Sequence, residues 1–274
     1  MSGRIASADM PANATSRGKS AAFASGAAIG TLGGLIGLGG AEFRLPLLIG
    51  AFRFAALEAV ILNKAITLVV VASALPFRAT PVPIATVVAH WPIIVNLLAG
   101  SLLGAWFGAG WATRLASHVL HRVIAGLLVA IAVALLSAHN PAASEAVLTG
   151  SAQAIAGVFA GFVIGVVAAL LGVAGGELLI PTLLLLFGVD IKLAGSLSLA
   201  VSLPTMIVGF ARYSRDRSFA VLGQNRVFML TIAAGSIFGS FICGQLLGWV
   251  PSTLLLPVLA AILVASAVKV WRHA

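Results

Sequence analysis

The chain has 274 residues, of which 61% are hydrophobic and only 8% charged, with a mean hydropathy of +1.14. A soluble domain carries about 25% charged residues, so this chain cannot cover a soluble surface, and most of its exterior must face lipid. The net charge of +9 does not imply a nucleic-acid partner: Lys and Arg lie in short loops and tails between apolar runs, where the positive-inside rule puts them.

In lipid every backbone polar group must be satisfied within the protein, which leaves helix bundles or closed barrels. The apolar runs are long and lack the alternation of barrel strands, which predicts an all-α polytopic membrane protein. The single cysteine, Cys243, sits in an apolar run, so neither a disulfide framework nor a cysteine metal site is available. Residues 1–19 read as a polar, cytoplasmic N-terminal tail with Arg4, Arg17 and Lys19. The run that follows is too long for a signal-peptide core and reads as an uncleaved first span.

The first helix is predicted over about Lys19–Leu35, with Gly26 and Gly30 at the spacing that lets membrane helices approach closely. The stretch Leu35-Ile36-Gly37-Leu38-Gly39-Gly40-Ala41-Glu42-Phe43-Arg44-Leu45-Pro46 interrupts it with three glycines, two opposite charges and a proline. A short apolar piece, Leu45–Phe52, comes next, closed by Arg53. It is too short to span roughly 30 Å of hydrocarbon, and it reads either as a short crossing or as re-entrant. A third segment, Phe54–Phe77, carries Asn63 and Lys64 near its middle. A fourth runs Ile84–Trp111 with Pro92 inside it. A basic turn follows with Arg114, His118, His121 and Arg122, whose histidines are expected at the membrane interface and not as ligands. A fifth helix fills Val123–Leu136.

The second half replays the first at a constant shift, Gly40 to Gly175 and Pro46 to Pro181, which is 135 positions. Leu170-Leu171-Gly172-Val173-Ala174-Gly175-Gly176-Glu177-Leu178-Leu179-Ile180-Pro181 repeats the signature. Gly26 and Gly30 recur as Gly161 and Gly165, and the run around Ser101 recurs around Ser236. The expected division is a first repeat over 20–137, a linker over 138–150 and a second repeat over 151–274, each repeat with about five hydrophobic segments, eight to ten in all.

Loop charge sets the orientation. The N-tail, the Arg114–Arg122 turn, the Arg212–Arg217 loop with Arg226, and the Lys269/Arg272 tail are basic. The linker and the turn at Trp249–Ser252 have no Lys or Arg. Equivalent loops thus differ in charge, which predicts two inverted-topology repeats with both termini cytoplasmic.

Inverted repeats with broken helices are a transporter architecture. Glycines let the chain leave helical geometry near mid-membrane, and the exposed helix N-termini favour an anion. Charges inside the apolar segments cost roughly 2.5–3.5 kcal/mol each on insertion scales, so Glu42, Glu177, Arg44 and Lys64 stand out. Glu42 reads either as a structural partner of Arg44 or Lys64 or as a proton-coupling acid. Asn63, Ser196 and Ser198 read either as site-lining groups or as links to neighbouring helices. The glycines serve either the break or tight packing. Ser101 and Ser236 have no base beside them and read as small-residue packing. Pro46 and Pro181 are expected to start helices. No metalloprotease helix, nucleophile elbow or nucleotide-binding loop is present. An anion channel and a membrane-embedded enzyme without a recognised motif are the competing classes.

The two signatures, each a Gly-rich break followed by Glu and then Pro, resemble the TauE/SafE sulfite exporter family over about residues 20–272. That resemblance implies a secondary transporter of sulfite, organosulfonates or related sulfur or carboxylate anions in the bacterial inner membrane, with protons as the candidate coupling ion. The family's break maps onto Gly37, Gly39 and Gly40 and onto Gly172, Gly175 and Gly176, and its proline onto Pro46 and Pro181. The sequence departs from the pattern at Ala41 and Ala174, which replace glycine, and at Glu42 and Glu177, where many members carry an apolar residue. The substrate site is therefore expected among these glycines with Glu42, Arg44, Asn63, Lys64, Glu177, Ser196 and Ser198. The expected partners are a small anion and the lipid bilayer, with no cofactor, metal or nucleic acid.

Overall fold

The computed structural model describes residues 14–36, 40–78, 83–137 and 148–246, together with 261, 264–265, 267–268 and 270–271. All described elements are helical: α1 (Ala14–Ile36), α2 (Ala41–Gly50), α3 (Ala56–Arg78), α4 (Ile84–Ala89), α5 (Trp91–Ala112), α6 (Ser117–Ser137), α7 (Gly150–Leu171), α8 (Gly176–Phe187), α9 (Ile191–Tyr213), a 3₁₀ turn (Arg217–Phe219), α10 (Ala220–Gln224) and α11 (Arg226–Leu246). The sequence repeat is thus a structural one. Helices α8, α9 and α11 begin at 176, 191 and 226, the same shift from α2, α3 and α5, which begin at 41, 56 and 91.

The two halves interlock instead of standing side by side. Gly26 and Gly30 of α1 lie against the Ile232 and Ser236 carbonyls of α11, while Gly161 and Gly165 of α7 lie against the Leu97 and Ser101 carbonyls of α5. These four contacts are two equivalent pairs under the repeat. The reciprocal glycines, Gly100 and Gly104 against α7 and Gly235 and Gly239 against α1, close the same seams from the other side. A side chain at any of these positions would meet backbone of the facing helix, so the small residues permit van der Waals contact that lipid itself does not drive.

The directions of the helices follow from the same contacts. In both seams the residue numbers rise together, so α1 runs with α11, and α5 with α7. Phe54, just before α3, packs on Phe228 in the first turn of α11, and further along Thr67 and Ser236 meet at the Arg44 guanidinium, so α3 runs with them. Against α7, however, α3 runs backward: the Val60 carbonyl lies at Gly172, and Lys64 reaches back to Ala168. The first helices of the two halves therefore point in opposite directions.

Four described helical stretches are long and apolar enough to cross a bilayer: Ala56–Ser73, Trp91–Ala112, Gly150–Leu171 and Leu193–Tyr213. A fifth is the pair Arg217–Gln224 and Arg226–Phe241, bent by 72°. At 10 and 12 residues, α2 and α8 reach only about half the hydrocarbon thickness at 1.5 Å per residue.

Several expectations are corrected. Pro46 and Pro181 do not start helices; α2 and α8 begin at Ala41 and Gly176, and each proline lies inside its helix. The left-handed glycine ahead of each helix sets its start, and a membrane helix tolerates an internal proline where neighbours satisfy the carbonyl it leaves. The fourth segment is not continuous: His90 separates α4 from α5, and Pro92 occupies the first turn of α5, where its missing N–H costs nothing. The basic turn is shorter than expected, because α6 starts at Ser117 and takes in His118, His121 and Arg122; His121 is buried, its Nδ1 2.7 Å from the Ser117 carbonyl oxygen. The N-terminal helix begins at Ala14, earlier than Lys19. Residues 138–147 of the linker, and the turn at 249–252, lie outside the described residues.

Candidate functional site

Both breaks are built on left-handed backbone. Gly40 precedes α2 with φ 66°, and its repeat equivalent Gly175 precedes α8 with φ 81°. Gly172 ends α7 with φ 66°. At Gly172 even one carbon would run into the Val60 carbonyl oxygen, so the position needs glycine both for its torsion and for its space.

The end of α7 is then capped by side chains from α3 and α9. A helix C-terminus leaves carbonyls without intrahelical partners. Here Lys64 Nζ donates to Ala168 at 3.2 Å, Tyr213 Oη to Ala169 at 2.9 Å and Asn63 Nδ2 to Leu171 at 3.0 Å, while the Thr67 hydroxyl gives its proton to the Asn63 carbonyl at 2.7 Å. An ammonium at this pole also complements the helix dipole. Asn63 Nδ2 donates a second bond to the Ala41 carbonyl, 2.9 Å away, at the start of α2. One amide thereby ties the two breaks together.

Arg44 sits above this tie. Its guanidinium donates to Asn63 Oδ1 at 3.4 Å, Thr67 Oγ1 at 3.2 Å and Ser236 Oγ at 3.2 Å. These three acceptors are neutral, and they come from α3 of the first half and α11 of the second. Glu42 lies two residues away on α2, within electrostatic reach. Arg44, Asn63 and Lys64 are 0% exposed, and Glu42 and Thr67 are 1%. A planar, permanently charged fork aimed at hydroxyl and amide oxygens is suited to exchanging those acceptors for the oxygens of an oxyanion.

The structure thus brings Gly40, Glu42, Arg44, Asn63, Lys64 and Gly172 to one place. Gly175 and Gly176 are buried at the start of α8. Glu42 and Glu177 are the second residues of α2 and α8, where the helix N-terminus favours an acid; the Glu177 side chain, like Gly37 and Gly39, lies outside the described part. Ser198 is buried on α9 with its hydroxyl on the Gly195 carbonyl at 2.9 Å. Ser196 is half-buried on the same helix.

Four participants escaped the sequence reading. Thr67 stands one turn beyond Asn63 on the same face, a spacing that could have drawn notice. Ser236 and Ser101 do pack against glycines through their backbones, but their hydroxyls are also engaged: Ser236 accepts from Arg44, and Ser101 lies 2.7 Å from Thr205 Oγ1. Tyr213, the one tyrosine in the chain, gives no local signal, since its target is on α7.

A polytopic helical membrane protein whose counter-running halves bring broken helices to one buried polar centre has the architecture of a secondary transporter. The model for the sulfite exporter TauE/SafE family matches residues 21–270, and the chain belongs to that family. No curated protein and no solved structure matches it.

Proposed function

We propose that the chain carries a small sulfur oxyanion, sulfite or an organosulfonate, or a related carboxylate, across the bacterial inner membrane, with both termini in the cytoplasm. The observation that carries this reading is Arg44: a fully buried guanidinium, held at the meeting point of both halves and beside Glu42, that donates to three neutral oxygens. Family membership supports the anion class. The anion takes the place of Ser236 and Thr67 on the guanidinium, and Asn63 keeps the two breaks in register.

Purified protein in liposomes is assayed for uptake of sulfite, sulfate, thiosulfate, sulfoacetate and small carboxylates, with and without a pH gradient. Wild type moves at least one sulfur oxyanion. Arg44→Gln abolishes that flux, and Arg44→Lys, which keeps the charge but loses the fork, recovers only part of it. Transport of a cation alone, or undiminished anion flux in Arg44→Gln, overturns the proposal.

Proton coupling is the second part of the reading. Protonating Glu42 makes the neighbourhood of Arg44 more positive and so favours anion binding, and Glu177, its equivalent in the second half, is the other candidate acid. Glu42→Gln or Glu177→Gln then flattens the pH dependence of flux. If the double variant keeps the wild-type profile, neither acid is the coupling group.

A further inference from the structure

The end of the molecule where α5 and α9 finish has a feature unrelated to the buried centre. Two guanidiniums converge on one ring: Arg212 lies 5.4 Å and Arg215 5.2 Å from the Trp106 ring centroid. The arrangement is shaped by its surroundings. Trp106 and Gly110 are one turn apart on α5, and a carbon added at Gly110 would sit 3.2 Å from Nε and Nη2 of Arg212. The missing side chain therefore leaves the slot in which that arginine lies.

Like charges repel, and neither guanidinium makes an ion pair or side-chain hydrogen bond among the described residues. The acid next to Arg215 in sequence, Asp216, accepts from the Ser218 amide at 2.8 Å. Arg217 and Arg114 add exposed positive charge in the two loops that leave these helices. Trp106 is 38% exposed and Trp111 50%, both within two turns of the end of α5, close to the interface where aromatic belt residues sit. A cation pair over a tryptophan at that depth offers a phosphate fork donors and charge from the protein side, with lipid on the other.

We infer that Trp106, Arg212 and Arg215 form a binding site for the headgroup phosphate of an anionic phospholipid in the bilayer. The inference is independent of the transported substrate.

The test uses the full-length protein in bilayers containing phosphatidylglycerol or phosphatidylcholine brominated near the headgroup. Bromine quenches nearby tryptophan, and the Trp106→Phe protein isolates the Trp106 contribution. At equal mole fraction the brominated phosphatidylglycerol occupies the site with a preference on the order of tenfold or more over phosphatidylcholine. The preference collapses in R212Q/R215Q and falls partway in R215Q, whose side chain is exposed in a turn and leaves the packing of α9 intact. Equal quenching by the two lipids overturns the site, as does a preference that survives R212Q/R215Q in protein with an unchanged melting temperature.

Discussion

At the scale of single residues, the backbone torsions make the sharpest statements. Arg53 has φ 59°, the left-handed region, while its repeat equivalent is Gly188 with φ 64°. The same turn is thus built once with the favoured residue and once without it. A non-glycine residue there costs roughly 1–2 kcal/mol, so Arg53→Gly should raise the melting temperature in detergent; an unchanged or lower value would mean that the Arg53 side chain offsets that cost. Gly172→Ala should act in the opposite sense. It combines the torsional penalty with a collision against the Val60 carbonyl, together roughly 2–4 kcal/mol, read as a lower melting temperature and poor folded yield. Tyr213→Phe removes only a hydroxyl and leaves the buried Ala169 carbonyl with the Gly172 amide as its remaining donor, which costs about 0.5–1.5 kcal/mol. A melting temperature equal to wild type would show that the cap at α7 is redundant.

At the scale of helices, the seams are the testable unit. Gly30 and Gly165 are equivalent positions, each pressed on a serine carbonyl of the partner half. Gly30→Val and Gly165→Val should therefore lower stability by similar amounts, and markedly unequal losses would deny the equivalence of the two seams. The elements also mark where sequence reading ends. The repeat was legible because Glu and Pro are rare in this chain and recur at the same offsets. The apolar segments were legible because lipid demands them. Helix ends were less so, since a membrane helix has few caps or charged turns to announce them. Pro46 suggested a start by its missing N–H, yet the left-handed Gly40 sets the start five residues earlier. Asn63, Lys64 and Arg44 were visible as polar groups in oil. Their partners were not, because Ser236, Ala168 and Leu171 are brought to them only by the counter-running of the halves.

At the scale of the whole molecule, the two halves are equal in architecture and unequal in chemistry. Arg44, Asn63 and Lys64 correspond by the repeat to Leu179, Ser198 and Leu199. Only one of two symmetry-related positions carries a guanidinium, so a binding measurement with the transported anion should saturate at one ion per chain. A stoichiometry of two would assign a ligand to the second half as well.

The glycine seams carry a consequence for how the gene can be cut. Each seam takes one helix from either side of the central linker, so neither half holds a complete glycine seam. Expressed alone, residues 1–142 or 143–274 would present a glycine-lined face to lipid with nothing to fit it. Encoded as two separate polypeptides in one cell, they would find each other through those faces and assemble a working protein with no covalent joint. Co-expression of the two pieces that restored no transport would show that the covalent joint is needed as well.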